Sequence, residues 1–579
     1  MADGVVGERH NGNMFIVLGG SPTGRVTLTK VDSAGAVQSS RQLSRAELLD
    51  EVARREPDRP RWVWEDTSQW YPILLAAGLS VERCHDLRLC HNILRLSQAA
   101  SETKLARAAP NVWDNEPLEQ HTTGTALFND LADLAELSDE PADTAGTRDP
   151  VAEFALQRET LDSVAATAPA AASRLQLLLA AESSGALIAE EMRARGLPWS
   201  TAFHDAALTE LLGPRPMFGG RPEKLEAVSD TIRTLLQAPG LNPDSQQDLL
   251  RALKRAGLTV TSTSKWELRS QKHPVVEPLL EYKKLSRLHS ANGWAWMDAW
   301  VYDGRFLPEY VVGGVVTGRW ATRGGGALQL PAQIRGAVRA DEGWTLVVAD
   351  AAQLEPRIIA AMSRDEKMAA AGRQGDLYQG LVDAGVADTR ANAKLAMLGA
   401  LYGATTGESA RLMPKLARAY PLAIGLVEQA ARIGERGDQV STWLGRSSPR
   451  PGPAWQAAQR AAAEAEATPI EERRSRQLAR DWGRFTRNFV AQGTAAEWAL
   501  CWMAGMRIRL RALADEHGEP HLAFFLHDEV MVHSPAHLAD AVTDAVTHAA
   551  EDAGRLLFGR FPVNFALTVV AVSSYDQAK

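Results

Sequence analysis

Three short stretches of this chain carry residue types that could act on phosphate. In WTLVVAD an apolar strand-like run ends on Asp350, where an ionised carboxylate is costly unless a cation or hydrogen-bond donors meet it. In FFLHDEVMVH, Asp528 and Glu529 interrupt two apolar runs, the pattern of a β-hairpin bend. Two strand-end aspartates from distant parts of one chain offer the hard oxygen ligands of a two-metal phosphoryl-transfer site, with Mg²⁺ ions about 3.5–4 Å apart; a lone strand-end aspartate is more often a cap or surface group. The third stretch is DTRANAKLAMLGALYG, where Arg390, Lys394, Leu398 and Tyr402 recur every four residues and share one face of a helix. Asp388 or Thr389 can cap its start. Arg390 and Lys394 fall where the positive helix end favours phosphate, and Tyr402 lies two turns beyond Lys394, within stacking reach of a base. Taken alone, this segment is also an ordinary amphipathic helix with a basic edge.

Such positions need a large scaffold. With 579 residues, 45% of them AVILMFWYC and 23% charged, the chain is an ordinary globular sequence several domains long, which excludes a small binding module and a largely disordered protein. Strand-like runs at 14–18, 26–31 and 62–64 interleave with helical stretches such as RAELLDEVARR, predicting a small α/β domain. Residues 111–162 hold 13 acidic and 2 basic side chains with several prolines, the composition of a solvated surface segment or linker. Long helices follow. Between 249 and 290 nine basic residues outnumber three acidic ones, a surface suited to phosphate, so the net charge of −8 averages over unlike parts. Beyond 300, YVVGGVV, WTLVVAD, AFFLHDEVMVH and FALTVVAVS are strand-like, and a helix-rich insert at about 365–520 separates the second from the third. Cys84, Cys90 and Cys501 are too few for a disulfide framework and suit a reducing compartment. With no signal sequence and no uncharged apolar run of membrane length, a cytoplasmic protein is expected. CHDLRLCH gathers Cys84, His85, Cys90 and His91 at a spacing that fits no standard zinc finger.

The order of these segments resembles the family A DNA polymerases of the Klenow-fragment type. TGRWATRGGGALQLP (317–331), DAAQLEPR (350–357), RANAKLAMLGALYG (390–403), QGTAAEW (492–498) and HDE (527–529) occur in the succession that family shows. The resemblance implies an α+β multidomain fold: a right-hand polymerase (166–579) with a thumb at about 205–295, palm at about 300–380 and 490–579 and fingers at about 381–489, preceded by an RNase H-like α/β exonuclease-type domain over 1–165. It implies two Mg²⁺ ions held by Asp350, Asp528 and the Ala351 carbonyl, with Glu529 in support. Primer-template DNA and deoxynucleoside triphosphates would be the partners, and the protein a monomer. Arg390 and Lys394 would bind the phosphates, and Gln353, Tyr378, Leu398 and Tyr402 would line the nucleotide site. Glu355 would be the sugar gate that excludes a ribose 2′-hydroxyl. Arg319 and Gln492 would probe the minor groove, Arg484 and Asn488 would touch nearby DNA, and His527 would sit near the primer end.

The chain also departs from the family pattern. Leu398 stands where the family has an aromatic ring, Ala351 and Ala352 replace Tyr and Ser, Pro356 replaces Leu, and Tyr378 stands at a usual histidine. The first strand, NMFIVLGGSP, lacks the Asp-x-Glu that proofreading needs, and WEDTSQWYPILLAAG offers Trp70 with Asp66 nearby. AEFALQRETLDS offers Glu159 and Asp162, and the Asp114–Glu116 pair lies far from the first strand. An inactive exonuclease-like domain is therefore expected, with no 5′-nuclease domain before it. The alternatives are a catalytically weak or silent DNA-binding relative, which intact Asp350, Asp528 and Lys394 oppose, and a single-subunit RNA polymerase, which Glu355 opposes.

Overall fold

The computed structural model describes residues 14–20, 24–32, 35–114, 148–217, 219–323, 330–373, 375–403 and 407–578. Glu116, most of the acidic 111–162 stretch, and residues 324–329 of the glycine-rich TGRWATRGGGALQLP motif lie outside them. Two compact units emerge: Met1–Ala194 with Tyr310–Arg323 and Val347–Val570, and Arg195–Glu309 with Gly324–Leu346 and Ala571–Lys579.

The first unit begins with a five-stranded sheet: β1 (Phe15–Gly20), β2 (Val26–Val31), β3 (Val37–Leu43), β4 (Arg61–Trp64) and β5 (Arg83–Asp86), in the order β3-β2-β1-β4-β5. The first three strands are antiparallel neighbours, whereas β4 runs parallel to β1 and β5 to β4. Central β1 has a buried apolar middle, as a strand covered on both faces requires. Edge strand β3 is VQSSRQL, almost wholly exposed, and its polar side chains discourage pairing with another chain. A capping box between Ser44 and Glu47 starts the helix Arg45–Arg55, whose Leu48 and Val52 join Trp62 and Trp64 in the core. The helices Pro150–Thr167 and Pro169–Arg195 follow, and Leu187 of the latter enters the same core.

The 43-residue helix Pro469–Arg511 organises the rest of this unit. It opens with a capping box between Thr468 and Glu471. Its middle, from Phe485 to Met503, is buried all round, so it is a core helix rather than a surface one. Beside it the helices Arg390–Tyr402, Gly407–Ala419 and Pro421–Glu435 share a second core. A four-stranded sheet consists of β6 (Trp344–Ala351), β7 (His521–Leu526), β8 (Glu529–Pro535) and β9 (Leu567–Val572), in the order β7-β8-β6-β9. Strand β6 thus meets the hairpin β7–β8 across almost 180 residues of sequence. The YVVGGVV run is not the strand its composition predicts: pairing stops after Tyr310–Val311, and Gly313 (φ 62°) and Gly318 (φ 87°) turn the chain through conformations that side chains resist.

In the second unit, the longest elements are the helices Thr201–Leu212, Glu223–Leu235, Gln246–Arg255 and Val276–Asn292. Lys254, Arg255, Lys265, Arg269, Lys272, Lys284 and Arg287 of the basic stretch are exposed, while Lys283 donates to the Thr263 carbonyl and hydroxyl. Among the described residues no helix is long and apolar enough to cross a membrane.

Candidate active site

Asp350 and Asp528 come together because β6 lies beside the β7–β8 hairpin: the Ala351 amide donates to the Asp528 carbonyl at 2.8 Å. Leu526 pairs with Glu529 across that hairpin, leaving His527 and Asp528 as its two-residue turn. His527 holds a positive φ of 58°, an uncommon conformation for a side-chain-bearing residue and one that tight hairpin turns demand. Burial, and then the charge of Asp350, push the Asp528 carboxyl up to about 6. Burial and Arg319 push His527 down to about 4. Glu529 opens β8 as a buried residue. Among the described residues no group of three His, Cys, Asp or Glu side chains forms a metal cage.

Gln353 turns the chain from β6 into the helix Leu354–Ser363 by adopting a left-handed conformation (φ 51°). Pro356 falls in the first turn of that helix, where no intrahelical donor is lost. Glu355 sits in the same turn with both oxygens occupied: Arg319 Nη2 donates to Oε1, and the Tyr402 hydroxyl donates to Oε2 at 2.8 Å. Burial, and then the Glu355 charge, raise the Tyr402 phenol well above its ordinary range. A cavity of about 290 Å³ opens here, lined by Arg319, Gln353, Glu355, Tyr378, Leu398, Tyr402, His527 and Asp528, with Trp320, Met503 and Phe525 among its apolar walls.

Of the predicted site residues, Arg390, Lys394, Asp350, Glu529, Arg484, Asn488 and Gln492 do not line this cavity. Thr389, rather than Asp388, caps the helix that carries Arg390 and Lys394. Lys394 is exposed. Arg390 is already engaged: its Nε donates to Asp376 at 2.5 Å and its guanidinium stands 5.6 Å from the centre of the Tyr378 ring. Asn488 and Gln492 are buried in the long helix. Arg484 pairs with Asp481 and packs against Gly403, where a Cβ would stand 2.9 Å from its side chain.

Two residues that position the candidate site escaped the sequence reading. Asp376 caps the helix Leu377–Asp383 and holds Arg390. Burial works to raise its carboxyl, but Arg390 and backbone donors prevail and hold it below the usual range. Its signal was an N-cap aspartate two residues before Tyr378. Arg357, 1% exposed, donates to the carbonyls of Ala352, Gly372, Gly375 and Asn564 and to Gln353. It fixes the turn that follows Asp350, and nothing in its sequence position distinguishes it from a solvated helix arginine.

The N-terminal residues take other roles. Asp66 caps the helix Thr67–Ala76 at Ser68, and Trp70 is buried in the sheet core. Asp114 pairs with Arg95 and lies beside His91, and Glu159 pairs with Lys104. Cys84 and Cys90 are buried thiols pushed upward by desolvation. His85 bonds Gln157 and His91 bonds Glu153, so the CHDLRLCH side chains face protein partners.

Comparisons with known proteins bear on residues from both compact units. The family model for DNA polymerase family A matches residues 222–570. The chain is 28% identical over 347 residues to DNA polymerase I of Chloroflexus aurantiacus, covering 55% of this chain and 34% of that protein. It is 26% identical over 365 residues to the thermostable DNA polymerase I of Thermus filiformis, covering 58% and 40%. The chain thus matches well under half the length of these curated relatives. In fold it is similar to the solved POL domain of Pol1 from M. smegmatis, a complex with DNA primer-template and dNTP, at a TM-score of 0.65 and 17% identity over 98% of this chain and 96% of that one.

Proposed function

This chain belongs to DNA polymerase family A, and from that premise we propose that it extends a primer 3′ end with deoxynucleotides under the direction of a template. The observation that carries the reading is that the Ala351 amide, next to Asp350, bonds the Asp528 carbonyl beside a cavity lined by Asp528, Glu355, Tyr402 and Leu398. Burial, and then the charge of Asp350, raise the Asp528 carboxyl, and a bound cation would offset both, so the donor set fits Mg²⁺ held by Asp350, Asp528 and the Ala351 carbonyl. Bound there, divalent cations supply Lewis acidity and neutralise charge during phosphoryl transfer.

The chain's own residues do the positioning. Arg390 and Lys394 bind the triphosphate, and Arg390 must leave Asp376 to do so. Tyr402 and Leu398 pack against the incoming nucleotide. Glu355, clamped by Arg319 and Tyr402, occupies the space a 2′-hydroxyl would need, which selects deoxyribose. Arg319, Arg484, Asn488, Gln492 and His527 contact the primer-template, and minor-groove contacts test pair shape without reading sequence.

We assign the second compact unit to the thumb, β6–β9 and the flanking helices to the palm, and the helices around Arg390–Tyr402 to the fingers. The mixed order of β1–β5 supports an exonuclease-type domain, and the lack of an Asp-x-Glu on β1 supports its inactivity. Three buried free cysteines suit a reducing compartment. Primer extension with dNTPs and with NTPs, beside a 3′-end degradation assay on single-stranded DNA, tests these assignments together. Extension with dNTPs alone and no degradation is the expected result; no extension at all, or equal use of NTPs, would overturn the main reading, and metal-dependent degradation would overturn the second.

A further inference from the structure

Arg319 clamps Glu355 from the loop 310–323, and that loop rests on an ion pair built largely outside the catalytic sheet. Glu182, 1% exposed in the helix Pro169–Arg195, accepts from Arg446 Nη2 at 2.8 Å. The loop touches this pair at both ends of its turn. A Cβ on Gly313 would stand 2.5 Å from Glu182 Oε1, and a Cβ on Gly318 would stand 2.6 Å from Arg446 Nε. Three residues along the same helix, a Cβ on Gly185 would lie 3.3 Å from the Trp320 ring. Arg319 therefore sits between two residues pressed against this support.

The support is itself rigid. Arg446 belongs to a turn in which its amide donates to the Thr442 hydroxyl at 3.0 Å and the Thr442 amide donates to its carbonyl at 2.9 Å. The Thr442 hydroxyl and the Leu444 amide are both held by Glu497 of the long helix. The loop meets that helix too, since a Cβ on Gly493 would stand 3.0 Å from the Thr317 carbonyl oxygen. Within the loop the Gly318 amide donates to Val315 at 2.7 Å, and the Val315 amide donates to Arg319 at 3.0 Å. A displacement of the ion pair has no slack through which to dissipate before it reaches Arg319.

We propose that Glu182 is a positioning residue for the sugar gate: its ion pair with Arg446 fixes the Gly313–Gly318 turn, the turn aims Arg319, and Arg319 together with Tyr402 holds Glu355 against the space of a 2′-hydroxyl. This gives the N-terminal part of the first unit a part in choosing the nucleotide sugar without nuclease chemistry. The inference rests on the reading of the chain as a polymerase gated at Glu355.

Glu182→Gln keeps the volume and removes the charge. Single-nucleotide extension with a dNTP and its matching NTP is the measurement, with primer-template affinity followed in parallel. The preference for dNTP is expected to fall about tenfold, a loss on the scale of one misplaced polar contact, through KM rather than through primer-template Kd. Glu182→Asp should recover part of it. In a Glu182→Gln/Glu355→Ala double variant the first change should add nothing to the second, because both act through the same side chain. An unchanged preference in folded Glu182→Gln, or additive losses in the double variant, overturns the inference. If Glu182→Gln does not fold, Arg446→Lys is read in the same assay and against the same two results. Failure of the wild-type protein to extend any primer with dNTPs and Mg²⁺ would count against the polymerase reading instead, so the two failures are distinct.

Discussion

The N-terminal sheet and the β7–β8 hairpin each hold an aspartate that burial and a neighbouring carboxylate push up to about 6: Asp86 with Asp66 in the first, Asp528 with Asp350 in the second. Their oxygens meet different surroundings. Asp86 Oδ2 accepts from the Thr67 amide at 2.7 Å and its hydroxyl at 2.8 Å, and Oδ1 accepts from the Leu89 amide at 2.9 Å. Asp66 caps its own helix and pairs with Arg88. These carboxylates are spent on helix starts. Asp528 instead borders a cavity of about 290 Å³ beside Glu355 and Tyr402. A raised acid is thus a record of desolvation and like charge; room for a ligand at its oxygens is what separates chemistry from capping.

Substitution separates the two regions most sharply. Asp350→Asn or Asp528→Asn should lower primer extension by at least about a thousandfold, because positioning and charge neutralisation carry almost all of phosphoryl-transfer catalysis. Asp86→Ala should leave extension per folded molecule unchanged while lowering stability by about 1–3 kcal/mol, the cost of buried donors left without an acceptor. Primer extension beside urea unfolding reads both. A loss of activity in folded Asp86→Ala comparable with that of Asp528→Asn would erase the contrast.

A smaller effect is expected at Asp376, which combines the two roles in one side chain: it caps a helix and holds Arg390. Asparagine keeps the cap and drops the charge. Asp376→Asn should therefore free Arg390 for the triphosphate and lower the dNTP KM by about twofold to fivefold, in line with the loss of one partly exposed ion pair. The gain should shrink as salt rises. A KM that stays put or increases would mean that Asp376 orients Arg390 toward the nucleotide rather than withholding it.

What could be read from the sequence follows the same division. Asp350 and Asp528 were legible because a carboxylate at the end of an apolar strand is anomalous under simple burial rules, and the Arg390–Tyr402 face was legible because helical periodicity is local. The bound state of Arg390 was not, since Asp376 reaches it only through the packing of two separate helices. The YVVGGVV run misled for a related reason: its β-branched residues favour a strand, yet the loop must pass close over Glu182 and Arg446, and the glycines that permit this stop the pairing after Val311. Arg357 is the extreme case, a helix arginine whose five acceptors come from three different segments.

Glu497 offers the finest test of whether burial alone, without a cavity, makes an acid structural. Desolvation pushes it up to about 7 from 4.5, against hydrogen bonds from Thr442 and Leu444 and the charge of Arg446. Its folded value exceeds its unfolded one, so its contribution to stability is complete below about pH 4.5 and is lost as pH rises through about 7. The loss amounts to about 1–3 kcal/mol at one pKa unit per 1.36 kcal/mol. In Glu497→Gln the amide oxygen can still accept from Leu444, and the amide nitrogen can donate to the Thr442 hydroxyl, which is free to turn to the Arg446 carbonyl 3.3 Å away. The variant should gain on the wild type by that amount as pH rises from about 5 to about 8, with extension at the higher pH unchanged. Denaturant unfolding of both proteins across that range measures it. A stability difference that does not vary with pH would show that Glu497 is not raised in the folded protein, and that Thr442, Leu444 and Arg446 offset its burial in full.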